Sequence, residues 1–432
     1  MASKRWVRNQ LAKEGLVEND GKLPLQVTTN SAQGVEESIG GLQLQRTVIA
    51  SVISDARGDL SGTAGAHRFD GVAGSIISET PRIGGTVLYV SNVASNGFTV
   101  GLDANSGQSK ALPKLTLSAA VTAASAGYTI IINDGTFDSA FFEINKSLTI
   151  LPYSYRGTTV RSTNASYTLY VSAHNVTIGA LIVDSTITSG GLSGAAVRTP
   201  AAAAYRAGLR LIGTKLLANT YSVYNTAPCV LKSVEVVSIG SAKSRIDLTP
   251  ATPGTVLIED LTNDGYLSVK PSVGGVDCIV RRSTVRSAAV GNQRAFEGVG
   301  CRSYLIEDNE FGVDTSTGPT GILVSPHATI TVESVVIRRN RIRNGVAAAQ
   351  TTTGYGIAVG AEAIAALAPI VDVKIYGNDI SHANHGLFMA YGVYKGRAWG
   401  NVVRDTVIGL ISKLTGPDVV HHSNIVVGGP FS

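Results

Sequence analysis

Val280-Arg-Arg-Ser283-Thr-Val285, Ile306-Glu-Asp-Asn309-Glu-Phe311, Ile337-Arg-Arg-Asn340-Arg-Ile342 and Ile375-Tyr-Gly-Asn378-Asp-Ile380 are copies of one short phrase. An apolar anchor is followed by two variable residues, then Asn or Ser, one further residue and a second apolar side chain. The phrase continues as Ala398-Trp-Gly-Asn401-Val-Val403 and Val420-His-His-Ser423-Asn-Ile425. Weaker copies start at Ile150, Ile178, Leu211, Leu231 and Ile258, the last meeting Asn263 where an apolar residue is expected. Successive anchors lie 20 to 38 residues apart. A repeat with a fixed minimum and variable excess reads as one coil of a parallel β-helix, three short strands whose turns accept insertions. The Asn and Ser at the fourth position then fall in register at one bend, where they can bond one another and adopt left-handed geometry.

Composition agrees. Of 432 residues, 48 are Gly and only 16 % are charged, against typical shares of roughly 7 % and 25 %. Such a chain has too few Leu, Glu and Lys at helical spacing for a bundle. Its 14 prolines and aperiodic glycines exclude collagen. No apolar run is long enough to span a bilayer, and no secretory signal is read in Met1-Ala-Ser-Lys-Arg-Trp-Val-Arg-Asn-Gln. Cys229, Cys278 and Cys301 form no closed disulfide set and no metal-binding spacing, so reduced core thiols are expected. No metal site, cofactor or nucleic-acid partner is expected either, since the net charge of +5 is dispersed.

Upstream, Leu117, Ala120, Val121 and Ala124 fall at helical spacing, with Thr116 as N-cap and Gly127 as stop. A short helix there would close the open end of the solenoid. The segments Val87-Leu-Tyr-Val-Ser, Leu115-Thr-Leu-Ser-Ala-Ala-Val, Ala126-Gly-Tyr-Thr-Ile and Asp134-Gly-Thr-Phe resemble the opening of right-handed parallel β-helix proteins of the pectin-lyase-like superfamily. The resemblance extends over about residues 85–428. It implies an all-β, right-handed, single-stranded parallel β-helix with an N-terminal capping helix.

The arm ahead of the repeats is similar to the layout of bacteriophage tailspikes. This likeness implies a virion protein of the phage tail, a homotrimer that binds a host surface polysaccharide, with possible depolymerase activity. Residues 1–30, with Lys4, Arg5, Trp6 and Arg8, would attach to phage tail or adaptor proteins; 31–84 would form a linker or neck, and 85–428 the β-helix. No membrane insertion is expected. A bacterial polysaccharide lyase or hydrolase, and a purely architectural virion β-helix, stay open as alternatives.

Catalytic residues are not selected by the pattern. Register places Glu259, Arg281, Glu307 and Arg338 in one column, Asp260, Arg282, Asp308 and Arg339 in the next, and Glu310, Arg341 and Asp379 in a third. Alternating signs on adjacent strands stabilise a sheet, so these read as structural ladders. Glu297, Asp314, Asp372, Asp405 and Asp418 lack an arginine in this register and are expected in turns or insertions. Asn384-His385-Gly386 is expected to be a turn. Carbohydrate contact is expected near the C-terminus, at Tyr376, Trp399 and His421 on successive coils, with Tyr391 and Tyr394 nearby, because sugar C–H faces pack on aromatic rings. An aromatic stack that only packs the last coils is the structural alternative.

Overall fold

The computed structural model describes residues 86–427, apart from 164–166, 186–194, 201–207, 240–244, 288–293, 315–318, 345–353, 362–366, 407 and 413–417. Contacts divide the chain into Met1–Ile83 and Gly84–Ser432. Lys4, Arg5, Trp6 and Arg8 lie outside the described residues, as do the expected attachment and linker segments.

From Val87 onward the chain winds through three parallel sheets, A, B and C, of 13, 12 and 11 strands. Each strand pairs with the strand one coil before and one coil after. This is a right-handed parallel β-helix. The helix Leu117–Ala123 stands near its start, with Leu117, Ala120 and Val121 buried. Thr116 caps it by accepting from the Ala119 amide. It ends at Ala124 rather than at Gly127, which lies beyond in a left-handed turn. Lys146 satisfies the helix end, donating to the carbonyls of Val121, Thr122 and Ala124 at 3.0, 2.7 and 2.7 Å. Among the described residues no helix is long and apolar enough to cross a membrane.

The anchors stack as the repeat predicts. Ile178, Leu211, Leu231, Ile258, Val280, Ile306, Ile337, Ile375 and Ala398 occupy one inward column of sheet A. At the final coil the register differs by one residue: Ala398 faces His421 and Trp399 faces His422. Asn424, not Ser423, therefore continues the fourth-position column. A one-residue slip turns each side chain to the opposite face, so His421 points into the solenoid and His422 out of it.

The bend between sheets A and B uses the third and fourth positions differently. The third is left-handed, with φ from 50° to 66° at Ala180, Gly213, Ser233, Asp260, Arg282, Asp308, Arg339, Gly377, Gly400 and Ser423. The fourth is not, which corrects the expectation that its Asn and Ser would take that geometry. Instead they turn inward and bond. Asn309, Asn340, Asn378 and Asn401 each donate Nδ2 to the next coil's Oδ1 at 2.8–3.0 Å.

Sheets B and C pinch together along a row of glycines. A Cβ on Gly321, Gly356, Gly386 or Gly409 would lie 2.2–2.7 Å from a γ-carbon of Ile342, Ile380, Val403 or Val426. Lack of space selects glycine there. It also explains why His385 and Gly386 are strand residues, in His385–Met389, rather than the expected turn.

Candidate functional site

On the A–B bend, the second repeat position faces outward. Glu259, Arg281, Glu307, Arg338, Tyr376, Trp399 and His422 succeed one another there, rung by rung. Arg281 lies 2.7 Å from Glu259, Arg282 3.0 Å from Asp260, Arg338 2.5 Å from Glu307 and Arg339 2.7 Å from Asp308. The first two columns are thus paired ion ladders. The third is rearranged: Arg286 takes Glu310 at 2.5 Å, and Asp379 lies 3.6 Å from Arg404. Arg341 holds no ion pair among the described residues, and it lines a cleft of about 480 Å³ with Arg282, Asp308, Glu310 and Arg339.

Beyond these charges comes the aromatic column. Tyr376 and Trp399 stack at 4.5 Å between centroids with planes 7° apart, and His422 follows at 6.0 Å and 8°. His422 thus holds the place expected of His421. The Tyr376 hydroxyl accepts from Arg338 at 2.9 Å. Because the rings lie face to face along the axis, their apolar faces are spent largely on one another and their edges form a ridge. Tyr394 is exposed and lies about 16 Å of extended chain before Trp399, and Tyr391 precedes that strand, Val393–Trp399.

The pattern gave no warning of a second surface on the outer face of sheet C. Parallel register aligns Tyr170, Arg198, Tyr224, Asp247, Ser268 and Glu297 on consecutive rungs. Their neighbours Leu267, Val269 and Phe296 enter the core, so strand alternation turns this column outward. Glu297 lies in strand Arg294–Val299, not in a turn, and an arginine does reach it. Its side chain is only 8 % exposed. The Tyr266 hydroxyl donates to it, Arg294 contacts its other oxygen, and Lys270 lies 2.6 Å away. Burial, with a smaller push from the Asp247 carboxylate, raises the Glu297 carboxyl to about 7. The Lys270 and Arg294 cations favour its charged form, but both are about 40 % exposed and screened by water. Arg245 lies 3.9 Å over the Tyr221 ring, and burial lowers its pKa.

Ser268 lies between the two acids. It is 1 % exposed, and its hydroxyl has no hydrogen-bond partner among the described residues. A buried hydroxyl without a partner is uncommon and costly. The sequence hid this site because Ala295 and Phe296 are both buried, which breaks the strict alternation that would have marked Glu297 as a strand residue. Asp372 is likewise in a strand, Ile370–Tyr376, and is paired with Lys374 at 2.7 Å, and Asp418 begins strand Asp418–His422. Among the described residues no group of three His, Cys, Asp or Glu side chains is placed to hold a metal ion.

The sequence matches no protein-family model and no curated protein. Solved structures are similar at the level of the chain path. A lacto-N-biosidase from Eubacterium ramulus aligns over 99 % of this chain and 80 % of its own, at 11 % identity and a TM-score of 0.44. The Dettilon tailspike protein aligns over 80 % of this chain and 62 % of its own, at 11 % identity and 0.43. A pectate lyase aligns over 78 % and 79 %, at 14 % identity and 0.29. The three parallel sheets and the asparagine-lined bend make this chain a right-handed parallel β-helix protein.

Proposed function

We propose that the protein is a bacteriophage tailspike or tail-fibre protein that holds a host surface polysaccharide against the outer face of sheet C. The observation that carries this reading is the Asp247–Ser268–Glu297 column, in which acceptors, cationic donors and a hydroxyl without a partner among the described residues follow Tyr224 on successive rungs. Sugars need this mixture of hydroxyl-binding polar groups and aromatic surface. The Tyr376–Trp399–His422 ridge is a second contact in the proposal, with Tyr391 and Tyr394 kept from the sequence expectation and His422 taking the place of the inward-facing His421. Residues 1–30, with Lys4, Arg5, Trp6 and Arg8, would fix the chain to the virion, and the particle would be a homotrimer.

Binding is tested on an array of purified capsular and O-antigen polysaccharides. Retention of at least one by the wild-type chain is expected, with Tyr224→Ala and Arg294→Ala weakening it roughly tenfold or more, about 1.4 kcal/mol. Trp399→Ala tests the ridge separately. No retained glycan would sink the reading. Light scattering is expected to return three times the 44.8 kDa chain mass; the monomer mass would remove the trimer.

A further inference from the structure

We propose that the outer face of sheet A, from Val230 to Val336, is the surface through which three copies of this chain pack side by side around a common axis. The assignment rests on the homotrimer reading above and names the face that reading leaves open.

Strand alternation sends Val230, Leu257, Ile279, Leu305 and Val336 outward, each between two buried neighbours on its own strand. Parallel register sets them on five consecutive rungs, an aliphatic strip about 19 Å long. All five are partly exposed. A contiguous apolar strip left to water marks an interaction surface. The other two faces differ. On sheet C the outward Ala358 and Phe388 are already buried, at 2 % and 4 % exposure. On sheet B the same five coils present Glu235, Thr262, Thr284, Glu310 and Arg341.

Symmetry and charge identify the occupant as this chain itself. Around a three-fold axis parallel to the solenoid, a residue on the axis meets its own counterparts from the other copies. A charged residue there repels itself, whereas an aliphatic one packs. The column meets that condition over these five rungs and no further. Arg210 precedes Val230, and Lys374 and Arg397 follow Val336, so the contact has a cationic stop at each end.

The columns on either side of the strip decide what meets across the seam. Copies anchored at one end by residues 1–30 point the same way, so like rungs lie level. Arg281 of one copy then faces Asp277 of the next. Their side chains are 37 % and 24 % exposed, so both can reach beyond the partners they already hold, Glu259 and Arg302. On the adjoining rungs Glu259 meets Thr255, Glu307 meets Ser303 and Arg338 meets Ser334. Each charge is set against its opposite or against a hydroxyl, and none against its like.

The experiment uses the full-length chain. Light scattering of the wild type is expected to give three times 44.8 kDa. Ile279→Glu combined with Leu305→Glu brings carboxylates of all three copies together at the axis. It is expected to lower the mass threefold while the strand-type circular dichroism spectrum is kept. A second variant covers the case in which that one does not fold. Leu305→Cys treated with a short bis-maleimide is expected to give a covalent pair of chains on a denaturing gel, because identical rungs meet. Thr262→Cys, exposed on sheet B, is expected to give none. The native cysteines are buried and do not compete. A folded glutamate variant that keeps the trimer mass overturns the assignment. A trimer that Leu305→Cys leaves unlinked, or that Thr262→Cys links, overturns it as well. A monomeric wild type overturns the trimer itself, and this face with it. Retention on the polysaccharide array is read independently, so none of these outcomes is confused with failure of the glycan reading.

Discussion

Cys229, Cys278 and Cys301 are buried in the solenoid core, and burial pushes the Cys229 thiol up to about 12. Since the thiolate is the reactive form, Ellman's reagent is expected to modify none of the three until denaturant is added. A rapid reaction in buffer would contradict that packing. His421 carries the clearest pH signature. Burial lowers its pKa from 6.5, so the unfolded chain takes up a proton there before the folded one does. Stability linked to neutral His421 is therefore present above pH 6.5 and lost as the pH falls through the lower folded value. His421→Val, matching the aliphatic column beneath it, should flatten the dependence of Tm on pH between about 7 and 5. An unchanged slope would place the titration elsewhere. The slip at this residue was not legible in advance because Val420 is the better apolar anchor by composition. Asn424 decided the register, since its side chain accepts from Asn401 at 2.8 Å, and only the bonded column reveals that preference.

At the scale of elements, the bend between sheets A and B is held by its side-chain amides. Asn340 Oδ1 accepts from the Asn309 amide and side chain, while its Nδ2 donates to the Ile306 carbonyl and to Asn378. Asn340→Ala would strand buried partners on both neighbouring coils. A loss on the order of 3 kcal/mol is expected, read as a lower denaturant midpoint. The pinch between sheets B and C makes a second test. Gly386→Ala sets a Cβ about 2.2 Å from Val403 Cγ1 and should cost roughly 1–3 kcal/mol. Adding Val403→Ala should recover part of that loss, and strict additivity would refute the contact. The apolar anchors and the signs of Glu259, Arg281, Glu307 and Arg338 were legible because a two-residue period and a constant bend fix their direction. The third ion column was not, because Arg286 and Arg341 each lie one coil from Glu310 and side-chain reach chooses between them. Glu297 was expected in a turn for a related reason: the strands of sheet C follow the most variable insertions.

For the whole molecule, each rung contacts only its neighbours, so stability accumulates along the axis rather than around one centre. Gly84–Ser432 forms a compact unit by itself. A chain starting at Gly84 should retain the strand-type circular dichroism spectrum and melt within a few degrees of the full-length protein. A broad or absent transition would show that the first 83 residues are needed for folding. The fold could be read at this scale from repeat spacing alone. The candidate site could not, because it joins residues from coils more than twenty positions apart on a face the repeat phrase does not include.

The outward column of sheet C is, in metrical terms, a graduated scale with one mark per rung at about 4.8 Å. Tyr224, Asp247, Ser268 and Glu297 are four successive marks. A polymer lying along the axis whose own repeat keeps step with that pitch meets one mark at every unit. One with a different pitch drifts out of phase within a few units, like a vernier. Selectivity among polysaccharides would then depend on linkage length as much as on the chemistry of any one sugar.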